Sequence, residues 1–161
     1  MDFDIELQSL VLKHCKAAKD VMWSLVCDGY RLLADISDLA MNNERVEPIT
    51  RYLDNVKMAE PDFRQFISAK NEEIDVVLQR YMLEAATLKI TIDFNIDPLK
   101  QFPAEITVLI IKTLEFLFEK ALNFRSGSHV FLYIKNKKDC IQIYADHDTV
   151  QIFEESVALF S

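Results

Sequence analysis

Glycine is nearly missing from this chain. Among its 161 residues there are two, Gly29 and Gly127. Loops that cradle phosphates bring several glycines close together so that backbone amides can approach the ligand. A P-loop, a dinucleotide fingerprint and a glycine-rich nucleotide lid are therefore excluded. Cysteine is sparse as well. Cys15, Cys27 and Cys140 form no CxxC pair and imply no disulfide framework, which fits a reducing cytosol. A long basic run is absent too, and the formal net charge is −8. That balance disfavours nucleic acid and anionic membrane, because both select for clustered Lys and Arg. No apolar run approaches the length that spans a bilayer. The opening MDFDIELQ is acidic and lacks the basic-then-apolar order of a signal peptide. The expectation is a cytoplasmic chain with neither a membrane nor a nucleic-acid partner.

What the chain has is half hydrophobic residues, and their spacing organises it. Residues 3–41 read as one long helix. Val11, Cys15, Ala18, Met22, Leu25, Gly29, Leu32, Ile36 and Leu39 fall in alternating steps of four and three. That is an a/d seam of a coiled coil or bundle. Val26, Leu33 and Ala40 widen the stripe and favour a bundle. MNNER breaks the pattern, and a second helix is expected over 46–57, with Pro48 in its first turn. A connection this short makes the two an antiparallel hairpin. One hairpin leaves its stripe bare, so two copies would bury it as a four-helix bundle, a homodimer. The rival arrangement packs the hairpin on the rest of its own chain.

After AEPDF a third helix is expected over 62–87. LKITIDFNI alternates like a strand, EITVLIIKTLEFLFEKALNF is a buried helix, and HVFLYIK and CIQIYAD form a hairpin around NKKD. The tail TVQIFEESVALF reads as a short amphipathic helix. The fold class is α+β, with a helical dimerisation module at 1–60 and a small α/β sandwich at 61–161.

Several of these stretches resemble the sporulation-initiation phosphotransferase B family and its sensor histidine kinase relatives. That family's first helix carries His-Asp. Here Cys27 and Asp28 stand in those positions, Arg31 stands where Asn is common, and Leu33 and Ile36 match apolar positions. NNERVEPITRYL resembles the inter-helix turn and second helix. In NEEIDVVLQRYMLEAATLKI, residues Asn71, Ile74, Asp75, Ala85 and Ile90 fit the start of an ATPase-like domain, with Tyr81 replacing a Lys. Leu117, Phe118, Glu119, Lys120 and Ala121 match the helix that bears the nucleotide and magnesium asparagine, and Lys120 replaces that Asn. IYADHDT resembles the nucleotide-base box, with Asp146 or Asp148 as its acid. The glycines that follow in the family are absent, and the chain ends where the lid belongs.

The departures decide what the resemblance implies. The phosphate-bearing histidine is a cysteine. A Lys ammonium donates where a magnesium ligand must offer oxygen. The resemblance thus implies a degenerate ATPase-like domain with no cofactor and no metal, whose vestigial nucleotide positions are Glu119, Lys120 and Asp146. If any enzyme activity remains, it is phosphotransfer without ATP-dependent kinase activity. With Leu25 and Leu32 at d and Gly29 at a, Cys27 falls at f, the outermost heptad position. A docking face follows: Asp20, Trp23, Ser24, Cys27, Asp28, Tyr30, Arg31 and Ala34. The partner would be a receiver domain or a histidine kinase, and the chain an adaptor or inhibitor in two-component signalling. The alternative is a working phosphorelay phosphotransferase with a non-standard acceptor, such as His14. Otherwise His14, His129 and His147 read as structural residues. A DHD metal site at Asp146, His147 and Asp148 lacks further ligands. Calorimetric titration with magnesium–ATP is expected to give no binding heat. Saturable heat would point instead to a small-molecule sensor using the old pocket.

Overall fold

The structure, a computed structural model, describes residues 2–42 and 69–159, except for the side chains of residues 25–30 and 32–42. The expected second helix at 46–57 and the beginning of the third at 62–68 lie outside the described residues. The described chain is α+β: α1 (Phe3–Asn42), α2 (Glu72–Thr87), β1 (Thr91–Ile96), α3 (Ala104–Ala121), β2 (His129–Asn136), β3 (Cys140–His147) and β4 (Val150–Ala158). The four strands form one sheet in the order β1-β2-β3-β4, with β1 and β2 parallel and the remaining pairs antiparallel.

The first helix starts where Asp2 caps it. The Asp2 carboxylate accepts from the amides of Asp4 and Ile5, at 3.0 and 3.4 Å. The helix then runs unbroken for 40 residues. The third expected helix starts later than its apolar spacing suggests. Asn71 caps α2, accepting from the Ile74 amide at 3.2 Å, and Asp75 reaches back to accept from the Ala69 amide at 2.6 Å. One otherwise orphaned helix-start donor, the Ile74 amide, is satisfied this way, and the Asp75 bond fixes the chain just before the cap. Asn71 is buried and also donates to the Lys100 carbonyl at 3.1 Å, which ties the start of α2 to the loop after β1.

Helix α2 ends in a Schellman motif. Ile90 N–H donates to the Ala85 carbonyl at 2.9 Å and Lys89 N–H to that of Ala86 at 3.2 Å. The motif needs a left-handed residue between helix and strand. Here that residue is Lys89, with φ 56°, where glycine is usual.

The tail differs from its expected form: 150–158 is an edge strand, not a helix. The cause is a β-bulge. Ala145 pairs with Phe153 and Asp146 with Gln151, so Ile152 is an extra residue on β4. The bulge breaks the period of two, and Ile152, Phe153, Val157 and Leu159 then imitate helical spacing.

The core lies between the sheet and α2 and α3. The inner face of the sheet supplies Ile92, Val130, Leu132, Ile134, Ile141, Ile143 and Ala145. The facing side of α3 supplies Ile110, Ile111, Leu114, Leu117 and Phe118, all fully buried. Helix α1 is a further layer, resting on α2 and α3. Leu7 and Leu10 pack against the core and His14 is fully buried. So the first half of α1 does pack on its own α/β part, through a stripe beside the expected seam. The seam positions Cys15 and Met22 stay exposed.

Lys89→Gly is expected to raise stability by about 0.5–1 kcal/mol, because the left-handed conformation costs a side-chain-bearing residue about 1–2 kcal/mol and glycine's extra unfolded-state freedom takes back part of the gain. A higher urea midpoint at unchanged slope would report it. An unchanged or lower midpoint would contradict it.

Candidate functional site

Seating one stripe of α1 inward fixes what the opposite stripe presents. Leu7, Leu10 and His14 face α2 and α3. Ile5, Leu12 and Trp23, spaced by seven and eleven residues, share the opposite side and are 65, 56 and 69% exposed. Of the expected docking face, Asp20, Trp23, Ser24 and Arg31 are exposed. The helical backbone is continuous through Cys27, Asp28, Tyr30 and Ala34, so the Cα of Cys27 stands one turn beyond Ser24 and two beyond Asp20. The side chains of those four residues lie outside the described ones. Nearer the start of α1, the seam positions Val11 and Cys15 line a shallow open groove of about 490 Å³, shared with Leu7, Leu12, Asp4 and Glu73.

The three residues expected to mark a vestigial nucleotide site, Glu119, Lys120 and Asp146, are not brought together. Glu119 and Lys120 are exposed on the last turn of α3. Lys120 lies 5.7 Å from the centre of the Phe153 ring, and its charge sits favourably at a helix C-terminus. On β3, Ile141, Ile143 and Ala145 point into the core, so Gln142, Tyr144 and Asp146 point to the open side of the sheet. Asp146 therefore lies across the sheet from Lys120. Asp148 sits in the β3–β4 turn with φ 57°, a conformation Asp tolerates better than most residues.

The open side of the sheet is polar with aromatic pairs. Tyr133 and Tyr144 sit directly opposite each other on β2 and β3 and stack at 4.5 Å. His129 stacks on Phe131 at 4.4 Å, and its Nε2 lies 2.5 Å from the Asp93 carboxylate on β1. That bond occupies Nε2 and leaves Nδ1 as the other nitrogen of a side chain 40% exposed. Sequence spacing could not find this pair, because it joins residues 36 apart through the parallel β1–β2 register. Gln142 and Gln151 both donate to Glu154, at 2.9 and 2.8 Å, and hold its carboxyl below the usual carboxylate range.

Of the remaining histidines, His147 stacks on Phe124 at 4.0 Å. His14 is sealed under α1, where its ring centre lies 5.5 Å from that of Tyr81. A ring buried this way is closed to an incoming phosphoryl group while α1 stays seated. Among the described residues no group of three or more His, Cys, Asp or Glu side chains could hold a metal ion, and no helix is long and apolar enough to cross a membrane. Comparison with known protein families and with curated proteins finds no match.

Proposed function

We propose that this chain is a dimeric, non-catalytic adaptor or inhibitor built like a degenerate histidine kinase or phosphorelay phosphotransferase. In this reading it binds a receiver domain or a kinase through the outer face of α1. The observation that carries it is Trp23, the chain's single tryptophan, held 69% exposed on a long helix whose first half packs on the protein body through its other side. A rigid indole standing in water has little to gain from staying there. It is the residue type that most often anchors a protein interface. Asp20, Ser24 and Arg31 surround it with exposed polar groups, the rim such an anchor needs. The dimer is supported by Val11, Cys15 and Met22, seam positions that the body of the chain leaves partly or fully uncovered.

A second reading, phosphotransfer by a non-standard acceptor, is favoured by one feature, the half-exposed His129 oriented by Asp93. A carboxylate that holds one ring nitrogen leaves the other free to act as a nucleophile.

Titration calorimetry against purified receiver domains and kinases from the same cell distinguishes the two readings. The adaptor reading expects saturable binding, weakened about 30-fold or more by Trp23→Ala, since an anchor of this kind is worth at least about 2 kcal/mol. Equal affinity in the variant would remove α1 as the docking face. Incubation with a phosphorylated receiver domain should leave the chain unphosphorylated. An acid-labile phosphate that is lost in His129→Gln would establish the second reading in its place.

A further inference from the structure

Of the three histidines, only His14 is fully buried. It sits where α1 meets both α2 and α3. Arg80 Nη1 on α2 lies 3.4 Å from His14 Nδ1. A guanidinium can only donate, so Nδ1 must present its lone pair, and the proton of the neutral ring sits on Nε2. That nitrogen has no hydrogen-bond partner among the described residues and lies 3.8 Å from Glu115 Oε1 on α3. A second proton would have to sit on Nδ1, pointing at a permanent cation. The packing therefore suits the neutral ring alone.

We propose that this contact is an acid-sensitive latch: the first half of α1 stays seated on α2 and α3 while His14 is neutral, and lets go when His14 is protonated.

The charges around the ring come from all three helices. Lys13 on α1 and Arg80 on α2 oppose an imidazolium, and Glu115 on α3 favours it. Glu115 is already engaged by Lys13 at 2.8 Å. Arg80 also binds Glu84 at 3.2 Å, so it keeps a counter-charge when it parts from His14. Tyr81, on α2 beneath Arg80 and stacked on Phe118 at 4.3 Å, stays neutral, because burial pushes its phenol up to about 12. Burial has the largest influence on His14 and holds it below its ordinary value of 6.5. A histidine lowered by folding stabilises the seated state above pH 6.5. That contribution is lost as pH falls through the lowered value. Release would bare Leu7, Leu10 and the Tyr81–Phe118 stack. The latch does not depend on the docking reading, since it concerns the opposite stripe of α1.

Hydrogen exchange on the full chain between about pH 7.5 and 4.5, corrected for intrinsic exchange chemistry, tests this beside an NMR titration of the His14 ring. The first half of α1 is expected to lose at least about tenfold in protection, with the midpoint at which His14 titrates, while β2 and β3 keep theirs. In His14→Leu the α1 protection should no longer depend on pH. In Glu115→Gln, which removes the one carboxylate favouring the imidazolium, the midpoint should move to lower pH. Four results would overturn the latch: α1 protection unchanged across the range, loss of α1 and sheet together at one midpoint, the same acid loss in a folded His14→Leu, or an unmoved midpoint in Glu115→Gln. The last decides the matter if His14→Leu does not fold.

Discussion

The ring of His14, enclosed by Arg80, Tyr81 and Glu115, is where a 40-residue helix is joined to an α/β body. A helix has one rotational freedom about its axis, and this contact removes it. Once Leu7, Leu10 and His14 turn inward, Ile5, Leu12 and Trp23 must turn outward. The exposed ion pairs along the same boundary, Lys112–Glu6 and Lys13–Glu115, add only tenths of a kcal/mol each. Placement comes from the buried stripe, and the outer face of α1 follows from it.

Scarcity of glycine shapes the remainder of the chain. Three turns need a left-handed residue, and Lys70, Lys89 and Asp148 take those positions with φ near 57°. Gly127 alone among the described turns has the residue that suits it, with φ 89°. The same scarcity that excludes a phosphate-cradling loop thus leaves strain in the structural turns. Lys89 shows why it persists. The Schellman bonds of Ile90 and Lys89 fix the end of α2, and β1 begins immediately after, so the turn cannot relax without moving the first strand out of register.

Much of the α/β part was legible in its residues. The buried helix at 104–121, the strand at 91–96 and the hairpin of β2 and β3 all follow from periods of 3.6 and 2 that nothing interrupts. Legibility ended where a local feature disturbed the period. The bulge at Ile152 turned an edge strand into an apparent amphipathic helix, and the Asn71 cap moved the start of α2 inward. Along α1 the stripe that turns inward is not the expected seam. Val11, Cys15 and Met22 make the better heptad, but the stripe through Leu7, Leu10 and His14 meets the core, because a histidine with an arginine and a glutamate to face can be buried where spacing alone would place a leucine. The His129–Asp93 pair was out of reach, being made by strand register. Lys120 and Asp146 were legible as residues but not as neighbours, since strand alternation puts the sheet between them.

The proposed docking role puts Trp23, on the outward face of α1, at the contact with a partner. Hydroxyl-radical footprinting of Trp23, alone and with a saturating receiver domain or kinase that binds the chain, measures this at the residue itself. Trp23 is expected to oxidise rapidly in the free protein and to be strongly protected in the complex. Oxidation of Trp23 at the same rate in both, with protection elsewhere on the chain, would contradict that role.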